Sequence, residues 1–255
     1  MPLSKRDFIR ACEQIAGGLG FQGRSYLEEH VDRLYDTFRE VEALIKVVPC
    51  TNILSVGAGS AYVEMVIKKI YPKVEITVVD FEECIKMNRD VYDQFGLRYV
   101  ARDICLPLDI GLDRYDLIMA CEILEHLPKS PRLLFEELAR YVTGGGVILI
   151  TTPNLARLEN VIKLLLAKPI LEDPDRTFAP VEFGNEGYHR REYVEEELVE
   201  LAERAGFEHV KTVSIHNNRK RERIPILLLN TMFKRFRRTM LIIFRYKQGD
   251  SGTTQ

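Results

Sequence analysis

No apolar run in this 255-residue chain approaches the roughly 20 residues that cross a bilayer, so no transmembrane helix is expected. The start, Met1-Pro2-Leu3-Ser4-Lys5-Arg6-Asp7, is charged and lacks an apolar h-region. A signal peptide is therefore not expected, and a cytoplasmic location is. The five cysteines (Cys12, Cys50, Cys84, Cys105 and Cys121) form no C-x-x-C pair and no regular spacing, which argues against a disulfide framework. Buried free thiols in a reducing compartment are expected instead. Internal repeats and low-complexity segments are also missing. With a formal net charge of only −2, charge alone selects no partner. What is abundant is core material: 46% of residues are apolar, and the length allows one large globular domain.

Two nucleotide loops are absent as well. A Gly-x-Gly-x-x-Gly dinucleotide fingerprint needs its third glycine at residue 62, where a tyrosine, Tyr62, obstructs the close approach of a pyrophosphate. No Gly-Lys-Ser/Thr follows, so there is no Walker loop. Yet residues 53–59 read Ile-Leu-Ser-Val-Gly-Ala-Gly, and a second apolar run, 76–79, ends on Asp80. A strand ending in Gly-x-Gly and opening a helix offers backbone N–H groups to a ligand. An acid ending the next strand is placed to accept from both hydroxyls of a ribose. A nucleoside ligand without phosphate satisfies both facts, and S-adenosylmethionine (SAM) is such a ligand.

Along the chain, residues 4–46 have helical periodicity, with Leu27, Val31, Leu34, Tyr35, Phe38, Val41 and Leu44 on one face. Glycines at 17–20 are expected to split off a short first helix. His30 and Arg33 share another face, read as solvated. Strand patterns at 52–56, 75–79, 98–101, 115–120 and 147–151 alternate with helical patterns at 61–70, 82–95 and 131–142. Gly144-Gly145-Gly146 reads as the turn into the fifth strand. Such alternation means βαβ units and a parallel sheet. A helix at 195–205 and strands at 208–215 and 239–246 complete a doubly wound, Rossmann-like α/β fold. The sheet is expected to be mostly parallel and seven-stranded, with helices on both faces. One domain is expected: a helical cover (1–48), a ligand-binding core (49–152), an insert (153–191), closing helices and strands (192–247) and a disordered tail (248–255). The insert holds Pro153, Pro169, Pro174, Pro180, Gly184 and Gly187, with one short helical pattern at 158–166. It is too long for an ordinary connection of about 4–6 residues and reads as a lid or substrate-shaping segment.

Open α/β sheets bind ligands beyond the carboxyl ends of their strands. The first strand delivers Gly57, Ala58 and Gly59 there, and the second Asp80 and Phe81. The third delivers Asp103 and Ile104, the acid able to accept from an adenine amino group and the isoleucine to lie on the base. Asp103 reads equally well as a turn residue. The fourth delivers Cys121, Glu122, Glu125 and His126, and the fifth Thr152, Pro153 and Asn154.

These segments, with Val78-Val79-Asp80, Tyr115-Asp116-Leu117-Ile118, Glu122-Ile123-Leu124-Glu125-His126-Leu127 and the later Ala205-Gly206-Phe207, carry a resemblance. Over roughly residues 25–215 the chain resembles class I SAM-dependent methyltransferases, within the group that includes the ubiquinone-biosynthesis O-methyltransferases. Two positions depart from the family pattern: its acid two residues before the first glycine is Ser55 here, and its third glycine is Ala61. The resemblance implies that Gly57 and Gly59 pack on the methionine part of SAM and that Asp80 holds the ribose. It further implies Asp103 and Ile104 at the adenine, and Cys121 and Glu122 bordering the sulfonium.

An oxygen acceptor needs a base, and His126 is the candidate, with Glu122 beside it. Two carboxylates and an imidazole at one strand end could also hold a divalent metal, and Glu122, Glu125 and His126 with His189 form that set. O-methylation of a small molecule, sugar or lipid-linked glycan is the expected reaction. The alternatives are a metal-dependent RNA ribose 2′-O-methyltransferase and a non-catalytic SAM- or nucleoside-binding protein; Tyr62 makes an oxidoreductase a distant fourth. Residues 217–247 carry ten cations against Glu222 alone, so contact with an anionic membrane surface or RNA is a further expectation.

Overall fold

The computed structural model describes residues 3–47, 50–111, 113–171, 173–177, 188–216 and 233–247. The chain order is α1 (Lys5–Val47), β1 (Asn52–Val56), α2 (Tyr62–Ile70), β2 (Glu75–Asp80), α3 (Glu82–Phe95), β3 (Arg98–Ala101) and β4 (Tyr115–Cys121). A 3-10 turn (Leu124–His126) leads to α4 (Pro131–Ala139), β5 (Val142–Pro153), α5 (Leu158–Leu165), α6 (Pro174–Thr177), α7 (Glu195–Arg204) and β6 (Phe207–Ile215). A second 3-10 turn (Lys234–Phe236) then enters β7 (Thr239–Tyr246). The sheet has seven strands in the order β3-β2-β1-β4-β5-β7-β6. β7 is antiparallel to both β5 and β6, and the other pairs are parallel. The order reverses direction at β1/β4, and that switch point fixes where a ligand can enter.

The period-2 geometry of strands sorts the core into two layers. Ile53, Leu117, Met119, Val147, Leu149, Leu241 and Ile243 face α1, α2 and α3. Their neighbours Leu54, Ile118, Ala120, Ile148, Ile150, Ile242 and Phe244 face α4 and α7. Local signals set the helix ends. Ser130 caps α4, its hydroxyl accepting from the Arg132 N–H, and Pro131 occupies the first turn where no N–H is needed. Gly96 ends α3 in the left-handed conformation.

The long first helix departs from the expected pair. α1 runs unbroken for 43 residues, through the glycines. Tertiary contact offsets their low propensity: a Cβ on Gly18 would lie 3.0 Å from Val91 of α3, so glycine permits the close crossing. Phe8 and Cys12, in the first turns, are fully buried, which holds the N-terminal half to the core. The Gly144–Gly146 segment is also not a turn before the fifth strand. It lies inside β5, which begins at Val142, and the register with β4 shifts between Tyr115 and Leu117 to accommodate it. Accordingly α4 ends at Ala139, short of the expected 142.

All five cysteines are free thiols; Cys12 and Cys50 are buried and the others half-buried. No helix among the described residues is long and apolar enough to cross a membrane. Of the basic run, Arg219, Lys220, Arg221 and Arg223 lie outside the described residues, as do insert residues 178–187 and the tail 248–255. Three of the six described cations of the run are engaged locally: Arg238 with Glu159 at 3.1 Å, Arg245 with Glu208 at 3.6 Å, and Arg237 donating to the Ser214 carbonyl.

Candidate active site

A cavity of about 630 Å³ opens at the carboxyl ends of β1, β2 and β4, roofed by α1. That volume falls within the range of about 300–1,000 Å³ usual for small-molecule sites. The first turn supplies one wall. Gly57 and Gly59 both have positive φ, and a Cβ at Gly57 would lie 2.6 Å from the Ile123 side chain, so only glycine fits. A Cβ at Gly59 would meet nothing within 4 Å. Ala61, where the family pattern has glycine, holds φ 45° at the start of α2, a strained value for a residue with a Cβ.

Asp80 fastens that turn to the end of β2. Its two carboxylate oxygens accept from Gly59 N and Phe81 N, each at 2.8 Å. The Gly59 carbonyl accepts from the Tyr92 hydroxyl and from Asn88 Nδ2. A carboxylate oxygen can accept twice, so Asp80 keeps acceptor capacity toward the cavity. Ala58, Phe81 and Ile104 line the same space. Asp103 is not among the lining residues. It is placed in a local turn, its Oδ1 accepting from Cys105 N at 2.8 Å, while Ile104 and Cys105 face the cavity.

The fourth strand brings the chemistry. Cys121, Glu122, Glu125 and His126 all line the cavity, and so does His189 from the end of the insert. Burial, reinforced by Glu64, pushes the Cys121 thiol up to about 12, so it stays protonated near neutral pH and is no nucleophile. Glu122 sits at φ 56°. Its Oε2 accepts from Arg33, whose second amino group donates to the Tyr26 hydroxyl at 2.6 Å. Arg33 is therefore a buried partner of the site, its side chain 7% exposed, and not the solvated residue its helical position suggested. His30 packs beside Tyr26, ring centroids 4.5 Å apart.

Glu125 is fully enclosed. Thr152 donates to its Oε2 at 2.9 Å, while Oε1 is buried without a hydrogen-bond partner. Burial, with the charge of Glu122 beside it, pushes the Glu125 carboxyl well above the usual carboxylate range. The Glu125 carbonyl accepts from Arg190 N and Arg191 N, and His126 Nδ1 lies 2.9 Å from the Tyr188 carbonyl. These bonds bring the returning insert onto the site. An Nδ1 that donates to a carbonyl leaves Nε2 as the unprotonated nitrogen of a neutral imidazole. His189 Nδ1 pairs with Glu192 Oε1 at 3.0 Å, and Glu192 is held in turn by Arg157 and by Asn160.

Glu125, His126 and His189 each offer a ligand atom, all within 4.8 Å of one another. Glu122, expected in the same set, is outside this cluster because its carboxylate turns to Arg33. Sequence reasoning missed Arg33, Tyr26, Glu64 and Glu192. The buried bond from the Ser55 hydroxyl to Glu64 Oε1, at 2.5 Å, had one visible signal: a hydroxyl standing where an acid is usual.

The comparisons with known proteins bear on the fold and the family. No curated protein sequence matches the chain. Among solved structures, an O-methyltransferase family protein from Burkholderia thailandensis superposes with a TM-score of 0.55 at 11% identity, over 96% of this chain and 59% of its own. A methyltransferase solved in complex with the Haloferax volcanii Trm112 methyltransferase activator gives 0.60 at 15%, over 92% and 98%. A SAM-dependent methyltransferase from Clostridium acetobutylicum gives 0.57 at 14%, over 84% and 92%. At these identities the likeness shows the fold alone. The sequence itself decides the family: residues 22–212 match the methyltransferase domain, and the chain belongs to that family of SAM-dependent methyltransferases.

Proposed function

We propose that this methyltransferase binds SAM in the cavity below α1 and O-methylates a small molecule, sugar or lipid-linked glycan. The observation that carries the reading is that one cavity joins the Gly57–Gly59 turn and Asp80 to His126, whose Nδ1 is fixed by the Tyr188 carbonyl. When bound, SAM supplies a methyl group already activated on a sulfonium. Asp80 would accept from the ribose hydroxyls with its remaining lone pairs, Ile104 would lie on the adenine, and Asp103, from its turn, would reach the base only with its second oxygen. Cys121 and Glu122 would border the methionine end. His126 would then take the acceptor's hydroxyl proton at Nε2, as the acceptor oxygen bonds to the methyl carbon and the sulfur keeps the departing electron pair. The insert, residues 153–191, would shape the acceptor pocket within one single domain. The Glu122-x-x-Glu125-His126 sequence supports a place in the ubiquinone-type O-methyltransferase group.

Replacing Asp80 by alanine is expected to weaken binding of S-adenosylhomocysteine (SAH) by about 1.5–3 kcal/mol, the worth of hydrogen bonds to a charged group. Titration calorimetry on the folded variant is the check, and unchanged affinity removes the ribose assignment.

A second reading rests on the Glu125–His126–His189 cluster. Both histidines have Nδ1 tied to an oxygen acceptor, the arrangement that orients imidazole Nε2 atoms toward a metal. On this reading the three residues hold a divalent cation that orients the acceptor oxygen. Turnover is then lost in excess chelator and returns with added divalent cation. Full activity in chelator, with no metal in the purified untagged protein, leaves the base role alone.

A further inference from the structure

Glu64 is a buried acid that the reading above does not use. It lies in the first turn of α2, is 5% exposed, and lines the cavity together with Ser55. The Ser55 hydroxyl donates to its Oε1 at 2.5 Å, which fixes the carboxyl head below the glycine turn. No ion pair reaches it among the described residues, and the ionisable groups coupled to it there are Asp80, Cys121, Tyr26 and Tyr92, none of them a cation. A buried carboxylate without a counter-charge is costly, and a bound cation that pairs with it offsets that cost.

We propose that Glu64 is the counter-charge for the α-ammonium group of SAM, delivered from α2 because β1 presents Ser55 in place of an acid. The inference rests on the cavity's being the SAM site. The positions are consistent with it: Glu64, the Gly57–Gly59 turn and Cys121 at the end of β4 line one cavity, and Glu64 is close enough to Cys121 for its charge to raise the thiol. Ser55 then becomes the positioning residue that aims the carboxylate, and the departure from the family pattern at residue 55 is a transposition of the acid by nine residues along the chain.

If Glu64 served only to hold the fold, Glu64→Gln would lower the melting temperature of the unliganded protein. Burial pushes its carboxyl above the usual range, although the Ser55 bond opposes this. A raised folded-state pKa contributes stability at low pH that is lost as pH rises through it. Glu64→Gln keeps an acceptor for Ser55 and removes that loss, so the unliganded variant should melt at or above the wild-type temperature near neutral pH.

Titration calorimetry with SAH and with its des-amino analogue tests the proposal. Wild type should bind SAH about tenfold or more tightly than the analogue, as expected for a charged hydrogen bond. Glu64→Gln should bind the two alike, with the loss confined to SAH. Equal affinities on wild type, or discrimination that survives in Glu64→Gln, overturn the assignment. If wild type binds neither ligand, the SAM reading of the cavity fails and takes this one with it.

Discussion

Arg33→Met should cost about 3–5 kcal/mol of stability, the largest single effect expected outside the hydrophobic core. The reason is asymmetric. Arg33 and Glu122 have side chains only 7% and 16% exposed, and removing the guanidinium leaves a carboxylate enclosed without its partner. The Tyr26 hydroxyl would lose its donor too, and with it one tie between two turns of α1. Urea unfolding at neutral pH measures the loss. The double variant Arg33→Met/Glu122→Gln should recover most of it, because the orphaned charge is gone while the packing of the methionine stem remains. A single variant as stable as wild type would mean that the pair is solvated and that α1 is not fastened to the site through it.

The second large effect falls on turnover. His126→Ala should lower kcat by about 100- to 10,000-fold, the usual contribution of a positioned general base, while SAH affinity changes little. The separation matters because His126 is placed by the Tyr188 carbonyl and not by the glycine turn that is assigned to the cofactor. Steady-state kinetics with any acceptor that supports turnover, alongside calorimetry, resolves the two quantities. A parallel loss of SAH affinity would place His126 in cofactor binding; unchanged kcat would remove the base.

The contrast between what the sequence reveals and what it conceals follows the range of the interactions. β1, β3 and α3 have the boundaries that periodicity and turn residues indicate, because their signals are local: alternating apolar residues, Gly96 after Phe95, and the Gly-x-Gly turn after Val56. α1 does not, since its glycines are tolerated only by contact with α3, which no local pattern reports. The ends of the strands were legible because open α/β sheets always expose them to the cleft. Of the residues expected there, those of the first, second and fourth strands line the cavity together with Ile104, while Asp103 serves the kind of turn that was its competing reading. The fifth-strand residues Thr152, Pro153 and Asn154 are not among the lining residues; Thr152 donates to Glu125, and Asn154 donates to the Arg235 and Arg237 carbonyls. The Arg33–Glu122 pair joins residues 89 apart in the chain, and a charge on a helix face looks solvated until the helix is laid over the site. Glu192 holding His189 was invisible for the related reason that the insert's return path to Glu125 is set by backbone hydrogen bonds.

The proposed function requires one cavity to hold SAM with its ribose at Asp80 and its methyl-bearing end toward His126. A crystal structure with SAH tests it most directly. The ribose hydroxyls should lie on the Asp80 carboxylate, the adenine over Ile104, the amino group facing Glu64 and the sulfur on the side of Glu122 and His126. Ligand density elsewhere, or in this cavity with the adenosine and homocysteine ends exchanged, would contradict it.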